Sequence, residues 1–111
     1  MSNKYGNRKV SLDGYTFDSQ REATCYRELY LLQEAGEISG LTLQPTFTLA
    51  DAVRYRGKRQ KPALRYRADF EYRDNRTGER VVLDVKGVRT TAFVIKKHLM
   101  MSVYGIEVEE I

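Results

Sequence analysis

The sequence is poor in the residues on which many small-protein sites depend. Its 111 residues include one cysteine, one histidine, two prolines and no tryptophan. A single cysteine forms neither an internal disulfide nor a cysteine-based zinc site, and His98 has no second histidine or cysteine at metal-ligand spacing. We therefore expect Cys25 to be a buried thiol and His98 to be a surface or packing residue.

Long apolar segments are also absent. No run of 18 apolar residues occurs, and the first residues lack the apolar core of a secretion signal. The isolated glycines form no phosphate-cradling loop, so a nucleotide-binding protein is not indicated. These absences predict a cytoplasmic protein that makes no membrane contact.

The residues that are present support one small domain with an uneven charge. With 41% hydrophobic and 11% aromatic residues, the chain can form a single core. We expect a flexible N-terminus over 1–8 and one domain over 9–111. The formal net charge is +4, but the segment 54–67 holds seven basic residues and no acidic one. These seven are Arg54, Arg56, Lys58, Arg59, Lys61, Arg65 and Arg67. Such a segment suits a polyanion such as nucleic acid, although a solvated charged loop is the alternative.

Hydrophobic periodicity predicts an α/β or α+β fold with a mixed sheet flanked by helices. The predicted order is hairpin, helix, three strands, helix, strand. Helices are expected over about 20–35 and 91–103. A hairpin is expected over 10–17, and strands over 41–49, 64–72, 80–86 and 106–108. Pro45 marks its strand as an edge or bulged strand, and 52–62 is a basic excursion.

The turn at 74–78 fixes a register for the strands on either side. If the turn is symmetric, all apolar positions share one face, as a buried face requires. The apolar pairs are then Phe70 with Leu83, Tyr72 with Val81, and Ala68 with Val85. The same register places Asp69 opposite Asp84, with Lys86 two residues further on the same face.

Facing carboxylates repel each other unless one is protonated or a cation lies between them. A Mg²⁺ ion held by Asp69 and Asp84 removes the repulsion and can activate water beside a phosphate. Lys86 would add positive charge near the phosphoryl oxygens. The alternative is two exposed strand carboxylates that neighbouring arginines screen.

These residues carry a resemblance to known nucleases. Asp69, followed fifteen positions later by Asp84-Val85-Lys86, resembles the PD-(D/E)XK nuclease motif. Glu22 on the preceding helix resembles the extra acidic residue of the Holliday-junction-resolvase-like branch. The chain from about 8 to 111 also looks like a family of small phage and prophage proteins, catalogued as a domain of unknown function and assigned to that superfamily. The further matching motifs are Phe17-Asp18-Ser19, Leu43-Gln44-Pro45, Ala68-Asp69-Phe70, Asp84-Val85-Lys86-Gly87 and Tyr104-Gly105-Ile106.

The resemblance implies a restriction-endonuclease-like core and an activity. The protein would be a Mg²⁺- or Mn²⁺-dependent endonuclease that hydrolyses DNA, favouring branched DNA such as a Holliday junction, in phage recombination or replication. Asp69, Asp84 and the Val85 carbonyl would ligate the metal, and Glu22 would complete the acidic cluster. Lys86 would orient the attacking water and stabilise the transition state.

Several alternatives remain open. Ser19-x-x-Glu22 is also a capping box, which explains Glu22 without catalysis. Lys96 and Lys97 lie either near the phosphate or on the polar face of a helix. The chain as a whole could be a catalytically silent DNA-binding module on the nuclease scaffold, or an RNA-directed protein. A homodimer would suit a two-fold junction.

Overall fold

Two helices and ten short strands follow one another in a computed structural model that describes residues 8–85 and 88–111. The helices are α1 (Gln20–Glu34) and α2 (Thr91–Tyr104). The strands are β1 (Val10–Leu12), β2 (Tyr15–Phe17), β3 (Ile38–Leu43), β4 (Thr46–Ala50), β5 (Val53–Arg54), β6 (Gln60–Lys61), β7 (Leu64–Arg67), β8 (Phe70–Asp74), β9 (Arg80–Asp84) and β10 (Glu109–Glu110). Most of the predicted flexible N-terminus, and Lys86, lie outside the described residues.

A four-stranded mixed sheet forms the centre of this α+β fold, which confirms the predicted class. Its order is β10-β9-β8-β3, with β10 parallel to β9 and the other neighbours antiparallel. Successive side chains of a strand point to opposite faces, and β9 is buried on both. Leu83 packs with α1 residues such as Leu29, whereas Val82 packs with α2 residues such as Met100. Within the described residues, neither helix is long and apolar enough to cross a bilayer.

The predicted register between β8 and β9 is confirmed. Phe70 pairs with Leu83 and Tyr72 with Val81, as the symmetric turn requires. The prediction that all apolar positions share one face is wrong for Ala68. Ala68 is buried in the α2-side cluster, whereas Phe70 is buried in the α1-side cluster. The strict alternation of side chains is therefore interrupted between these two residues.

A shared bend causes this interruption and splits two of the predicted strands. The strand predicted over 41–49 breaks at Gln44–Pro45, and the strand predicted over 64–72 breaks at 68–69. Pairing continues through the bend, because the Gln44 N–H donates to the Asp69 carbonyl at 2.9 Å and the Ala68 N–H donates to the Pro45 carbonyl at 3.1 Å. Pro45 lacks an N–H, and Gln44 adopts a left-handed φ of 53°.

Both helix N-termini and the C-terminus of α2 lie at capping residues of the sequence, but the last strand lies outside its predicted range. The Ser19 and Thr90 hydroxyls cap α1 and α2, and Gly105 ends α2 with a φ of 69°. The final strand is Glu109–Glu110 instead of the predicted 106–108. The Ile106 N–H bonds to the Met100 carbonyl at the end of α2, so Ile106 belongs to the helix terminus.

Phe70 provides a test of the central packing. Its side chain is fully buried at 0% exposure, so Phe70→Ala leaves a cavity between β8 and α1. We expect the substitution to lower the free energy of unfolding by about 3–5 kcal/mol, measured by urea denaturation. Leu31→Ala on α1, where Leu31 is 66% exposed, is the control and should change it by about 0.5 kcal/mol or less. Equal effects of the two substitutions would contradict this packing.

Candidate active site

Three elements bring carboxylates together at one end of the sheet. Asp69 lies at the bend between β7 and β8, Asp84 ends β9, and Glu22 lies in the first turn of α1. The Asp69 N–H donates to the Leu83 carbonyl at 3.1 Å, which holds the two aspartates side by side across the strands. Their carboxyl groups share a hydrogen bond. Glu22 is buried, and it lies close enough to Asp84 for the Asp84 charge to raise its pKa.

The hydrogen bonds around the aspartates fix both side chains. Asp84 is 4% exposed, and its Oδ2 accepts a hydrogen bond from the buried Tyr66 hydroxyl. Asp69 Oδ2 accepts a hydrogen bond from the Val85 N–H at 2.7 Å. The predicted role of the Val85 carbonyl stays a prediction, because the bond seen here uses the N–H of that residue. A side chain of β7 thus orients Asp84, and the backbone just after β9 orients Asp69.

Burial and mutual repulsion raise the pKa values of this cluster. Burial raises the pKa of Asp69 most, and the hydrogen bond and charge of Asp84 raise it further, while the Val85 N–H opposes the rise. Burial, then Asp18 and Asp84, raise the pKa of Glu22, against the Asp18 N–H and the Arg67 charge. A cluster of this kind favours a bound proton or a cation.

Glu22 takes part in helix capping and also faces the aspartates. The Ser19 hydroxyl accepts a hydrogen bond from the Glu22 backbone N–H at 3.1 Å, as in a capping box. The carboxylate of Glu22 accepts a hydrogen bond from the Asp18 N–H and lies beside the same cavity as Asp69. The backbone of Glu22 therefore serves the cap, while its side chain is available to the acidic site.

The donor set suits a hard divalent cation by its chemistry. Carboxylate oxygens are the ligands that Mg²⁺ prefers, and the contact between Asp69 and Asp84 is one that a cation would stabilise. Over residues 8–85 and 88–111, no three Asp, Glu, His or Cys side chains stand close enough together to share one metal ion. The paired aspartates thus form the core of the site, and Glu22 stands further away.

Basic residues flank the paired aspartates from α2. Glu110 is the partner of Asp84 in the parallel β10–β9 pair. Its carboxylate accepts a hydrogen bond from Lys97 Nζ at 2.7 Å and lies 2.9 Å from Arg89 Nε. Lys97 is therefore held beside the strand that carries Asp84. Lys96 is half-buried and forms no ion pair with another described residue.

The predicted basic segment forms a projecting arm. We call residues 51–63 the basic arm; β5 and β6 form an unpredicted two-stranded hairpin within it. Every cation of the arm is exposed, and none forms an ion pair with a described residue. The arm extends from the β4–β7 pair, where Arg65 and Arg67 are also exposed. Arg67 is near enough to lower the pKa of Glu22, which links the base of the arm to the acidic site.

Two residues of the site escape sequence reasoning. Tyr66 sits in an apolar alternation that favours core packing over base stacking, and neither role includes a bond to Asp84. The bend that brings Tyr66 to Asp84 leaves no signal in the sequence except Pro45. Glu110 is paired with Asp84 because β10 lies parallel to β9, and no local sequence pattern predicts a pairing between strands so far apart in the chain. By contrast, Cys25 is buried, with a pKa raised to about 11 by burial, and His98 is exposed, both as expected.

Fold and site together define a small α+β protein with a pair of aspartates at the end of its sheet, one of them buried and the other half-buried. A family model described as "Protein of unknown function (DUF1064)" matches residues 2–109. The chain belongs to this family, which confirms the expected membership in a family without an assigned function. No curated protein matches the chain, and no solved structure does.

The raised pKa values predict how stability depends on pH in EDTA. The folded state keeps protons on Asp69 and Glu22 that the unfolded chain has already lost. The linked stabilisation is complete below the ordinary pKa values of 3.8 and 4.5, and it is lost as pH rises through the raised folded-state values. Asp69→Asn should therefore raise the free energy of unfolding at pH 7 by on the order of 1 kcal/mol and flatten its pH slope.

Urea denaturation between pH 4 and about 8 measures both effects. The control is Asp51→Asn, because Asp51 is exposed and lies outside the acidic site. A pH slope that Asp69→Asn leaves unchanged would show that the acidic pair is not the source of the dependence.

Proposed function

We propose that this chain is a metal-dependent endonuclease of the PD-(D/E)XK superfamily that hydrolyses phosphodiester bonds in DNA. The observation that supports it most is the contact between the carboxyl groups of Asp69 and Asp84 across β8 and β9. Two carboxyl groups in contact, one buried and one half-buried, destabilise a fold, and such perturbed groups are typical of functional sites. A cation-assisted hydrolysis is the chemistry that such a pair serves best.

The element order supports a restriction-endonuclease-like core for the same proposal. Glu22 lies on the helix before the sheet, Asp69 lies at the bend before β8, Asp84 ends β9, and α2 follows with Lys96 and Lys97. This is the order that the resemblance to the Holliday-junction-resolvase-like branch implies. Branched DNA, a role in phage recombination or replication, a host-cytoplasmic location and a homodimer are proposed on that resemblance alone.

The acidic residues would hold Mg²⁺ or Mn²⁺. Asp69 and Asp84 would be the main ligands, with the Val85 carbonyl and Glu22 completing the set. A bound divalent cation lowers the pKa of water and offsets charge on a phosphate under attack. The chain's own part is orientation: Tyr66 holds Asp84 and the Val85 N–H holds Asp69, so that neither carboxylate must reorganise.

Basic side chains would complete the chemistry. Lys86, which lies outside the described residues, would orient the attacking water and stabilise charge on the phosphoryl oxygens. Lys97 is fixed by Glu110 beside the strand of Asp84, and Lys96 has no competing ion pair within the described residues. Both lysines would contact the phosphates that flank the cleaved bond. The basic arm would grip the nucleic-acid backbone without reading sequence.

A second candidate is a catalytically silent DNA-binding module. It is favoured by one observation: the described residues contain no group of three potential ligands at metal-sharing distance. In that case the basic arm would bind the polyanion, and the acidic pair would be a remnant. The two candidates differ in a single measurable property, the metal-dependent cleavage of nucleic acid.

Cleavage by an Asp84 variant is the decisive test. End-labelled four-way junction, flap, single-stranded and linear duplex DNA, and a matched RNA, are incubated with Mg²⁺, Mn²⁺ or EDTA. We expect metal-dependent cuts in DNA, and Asp84→Asn should slow them more than about 100-fold while DNA binding is retained. Loss of an outer-shell partner alone costs about 10- to 100-fold, so loss of a ligand should exceed it.

Two further variants complete that test. Lys86→Ala should also abolish cleavage. The control is Glu79→Gln, which should leave cleavage unchanged, because Glu79 is exposed and precedes β9 at the end opposite Asp84. Full cleavage by Asp84→Asn would remove Asp84 from the mechanism. DNA binding without cuts in any metal would instead support the silent module.

The basic arm predicts a salt dependence of DNA binding. Neutralising three of its cations (Arg56, Lys58 and Arg59, each to Gln) should weaken DNA binding. It should also reduce the slope of log K against log salt by about 2–3, since each phosphate contact contributes about 0.9. Fluorescence anisotropy over a salt series measures the slope. Substituting Arg8, Lys9 and Arg27, which are exposed and lie outside the arm, matches the charge loss. An equal effect of both triple variants would exclude the arm as the grip.

A further inference from the structure

A cavity of about 270 Å³ adjoins the acidic site, and its lining residues other than Glu22 and Asp69 have no part in the chemistry proposed above. It is lined by the β1–β2 hairpin and by Gln44 at the bend, and Glu22 and Asp69 also line it. Tyr15 and Thr16 line it from the hairpin, and Leu43 lines it from β3. The volume lies near the lower limit for small-molecule pockets, which suits one ring system but not a whole nucleotide with its phosphates.

The ring of Tyr15 is a fixed aromatic platform in this cavity. It is 46% exposed, yet its centroid lies 5.6 Å from that of Tyr26 and 6.3 Å from that of Phe17. The Tyr26 hydroxyl donates to Asp13 Oδ2 at 3.1 Å, which ties α1 to the hairpin turn. A half-exposed ring held by two buried rings can stack on a ligand with little loss of entropy.

Gln44 supplies a free amide next to this platform. Its backbone holds a left-handed φ of 53°, which costs a non-glycine residue about 1–2 kcal/mol, and its N–H donates to the Asp69 carbonyl. Its side chain is exposed and makes no hydrogen bond to any described residue. The amide therefore offers one acceptor and two donors at the cavity wall. Strain kept at such a position is typical of functional sites.

We propose that this cavity binds a single nucleobase of the nucleotide next to the cleaved phosphate, with the base stacked on Tyr15 and its edge hydrogen-bonded by Gln44. The inference rests on the proposed nucleic-acid substrate. The lining selects an uncharged base over the phosphate backbone, because Glu22 and Asp69 supply carboxyl groups to it and no residue of the lining is a lysine or an arginine. A nucleobase is uncharged, so the carboxyl groups of Glu22 and Asp69 do not repel it. It is planar and can stack on Tyr15, and its edge carries donors and acceptors that can bond to the Gln44 amide.

Binding of 2-aminopurine-labelled oligonucleotides in EDTA tests the site without cleavage. The label is placed at successive positions of junction DNA, single-stranded DNA and single-stranded RNA. The comparison also shows whether the bound base comes from DNA or from RNA. We expect the 2-aminopurine fluorescence to be quenched at one position. Tyr15→Leu should remove it and weaken binding about 5- to 100-fold, the range for loss of one stacked base. Tyr15→Phe, which keeps the platform, should stay within about twofold of the wild type.

Gln44 has a matched pair of variants as well. Gln44→Gly removes the amide without backbone strain, whereas Gln44→Asn keeps an amide in a residue that tolerates the left-handed region. We expect Gln44→Gly to reduce the preference among the four bases at the quenched position more than Gln44→Asn does. An abasic nucleotide at that position should weaken the wild type and leave Tyr15→Leu unaffected.

The outcomes separate this inference from the proposed activity. Metal-dependent cleavage with no position-specific quenching, and with Tyr15→Leu binding like the wild type, overturns the nucleobase site and leaves the nuclease. Quenching that depends on Tyr15 in a protein that never cleaves supports the site and rejects the nuclease. Failure to bind any of the DNA or RNA probes overturns both.

Discussion

The paired bend of two antiparallel ribbons is the constraint on which the candidate site depends. Gln44 and Asp69 face each other where β3 passes into β4 and β7 into β8, and their backbone hydrogen bond keeps the register through the bend. Along β7 and β8 the buried side chains before the bend pack toward α2 and those after it toward α1, and along β3 and β4 the order is reversed. Tyr66 thereby reaches Asp84, and Asp69 reaches the cavity that Glu22 lines.

The acidic site is held in place by the packing that surrounds it. β9 is buried on both faces, so Asp84 cannot turn away into solvent without displacing Val82 or Leu83 from the core. Tyr66 and the Val85 N–H satisfy one oxygen of each aspartate, which reduces but does not remove the cost of burial. Under the proposed function, the fold gives up stability at this site for activity. The elevated pKa values of Asp69 and Glu22 reflect the same compromise.

Local signals in the sequence predict the parts of this fold that local physics decides. Ser19 and Thr90 mark the helix starts, and the Asp13-Gly14 turn, with both residues at positive φ, marks the first hairpin. The turn after β8 fixes the Asp69–Asp84 alignment, because a slip of one residue would bury polar side chains. The bend is not predicted, since the alternation continues through 64–72 without a break in pattern. The pairing of Glu110 with Asp84 joins strands far apart in sequence, which periodicity does not detect.

Charge is unevenly distributed between the basic arm and the acidic site. A run of exposed cations lies on the basic arm and at its base, whereas the carboxylates lie near the bend, where Arg67 is close enough to lower the pKa of Glu22. A polyanion is therefore attracted to the arm while its phosphates are repelled from Asp69 and Asp84. That repulsion falls only when the carboxylates bind a proton or a cation, so a phosphate approaches them closely only after one of these has bound. Under the proposed function, binding is then independent of the metal and cleavage requires it. The uncharged cavity wall at Tyr15 and Gln44 gives a base a place beside carboxylates that would reject its phosphate.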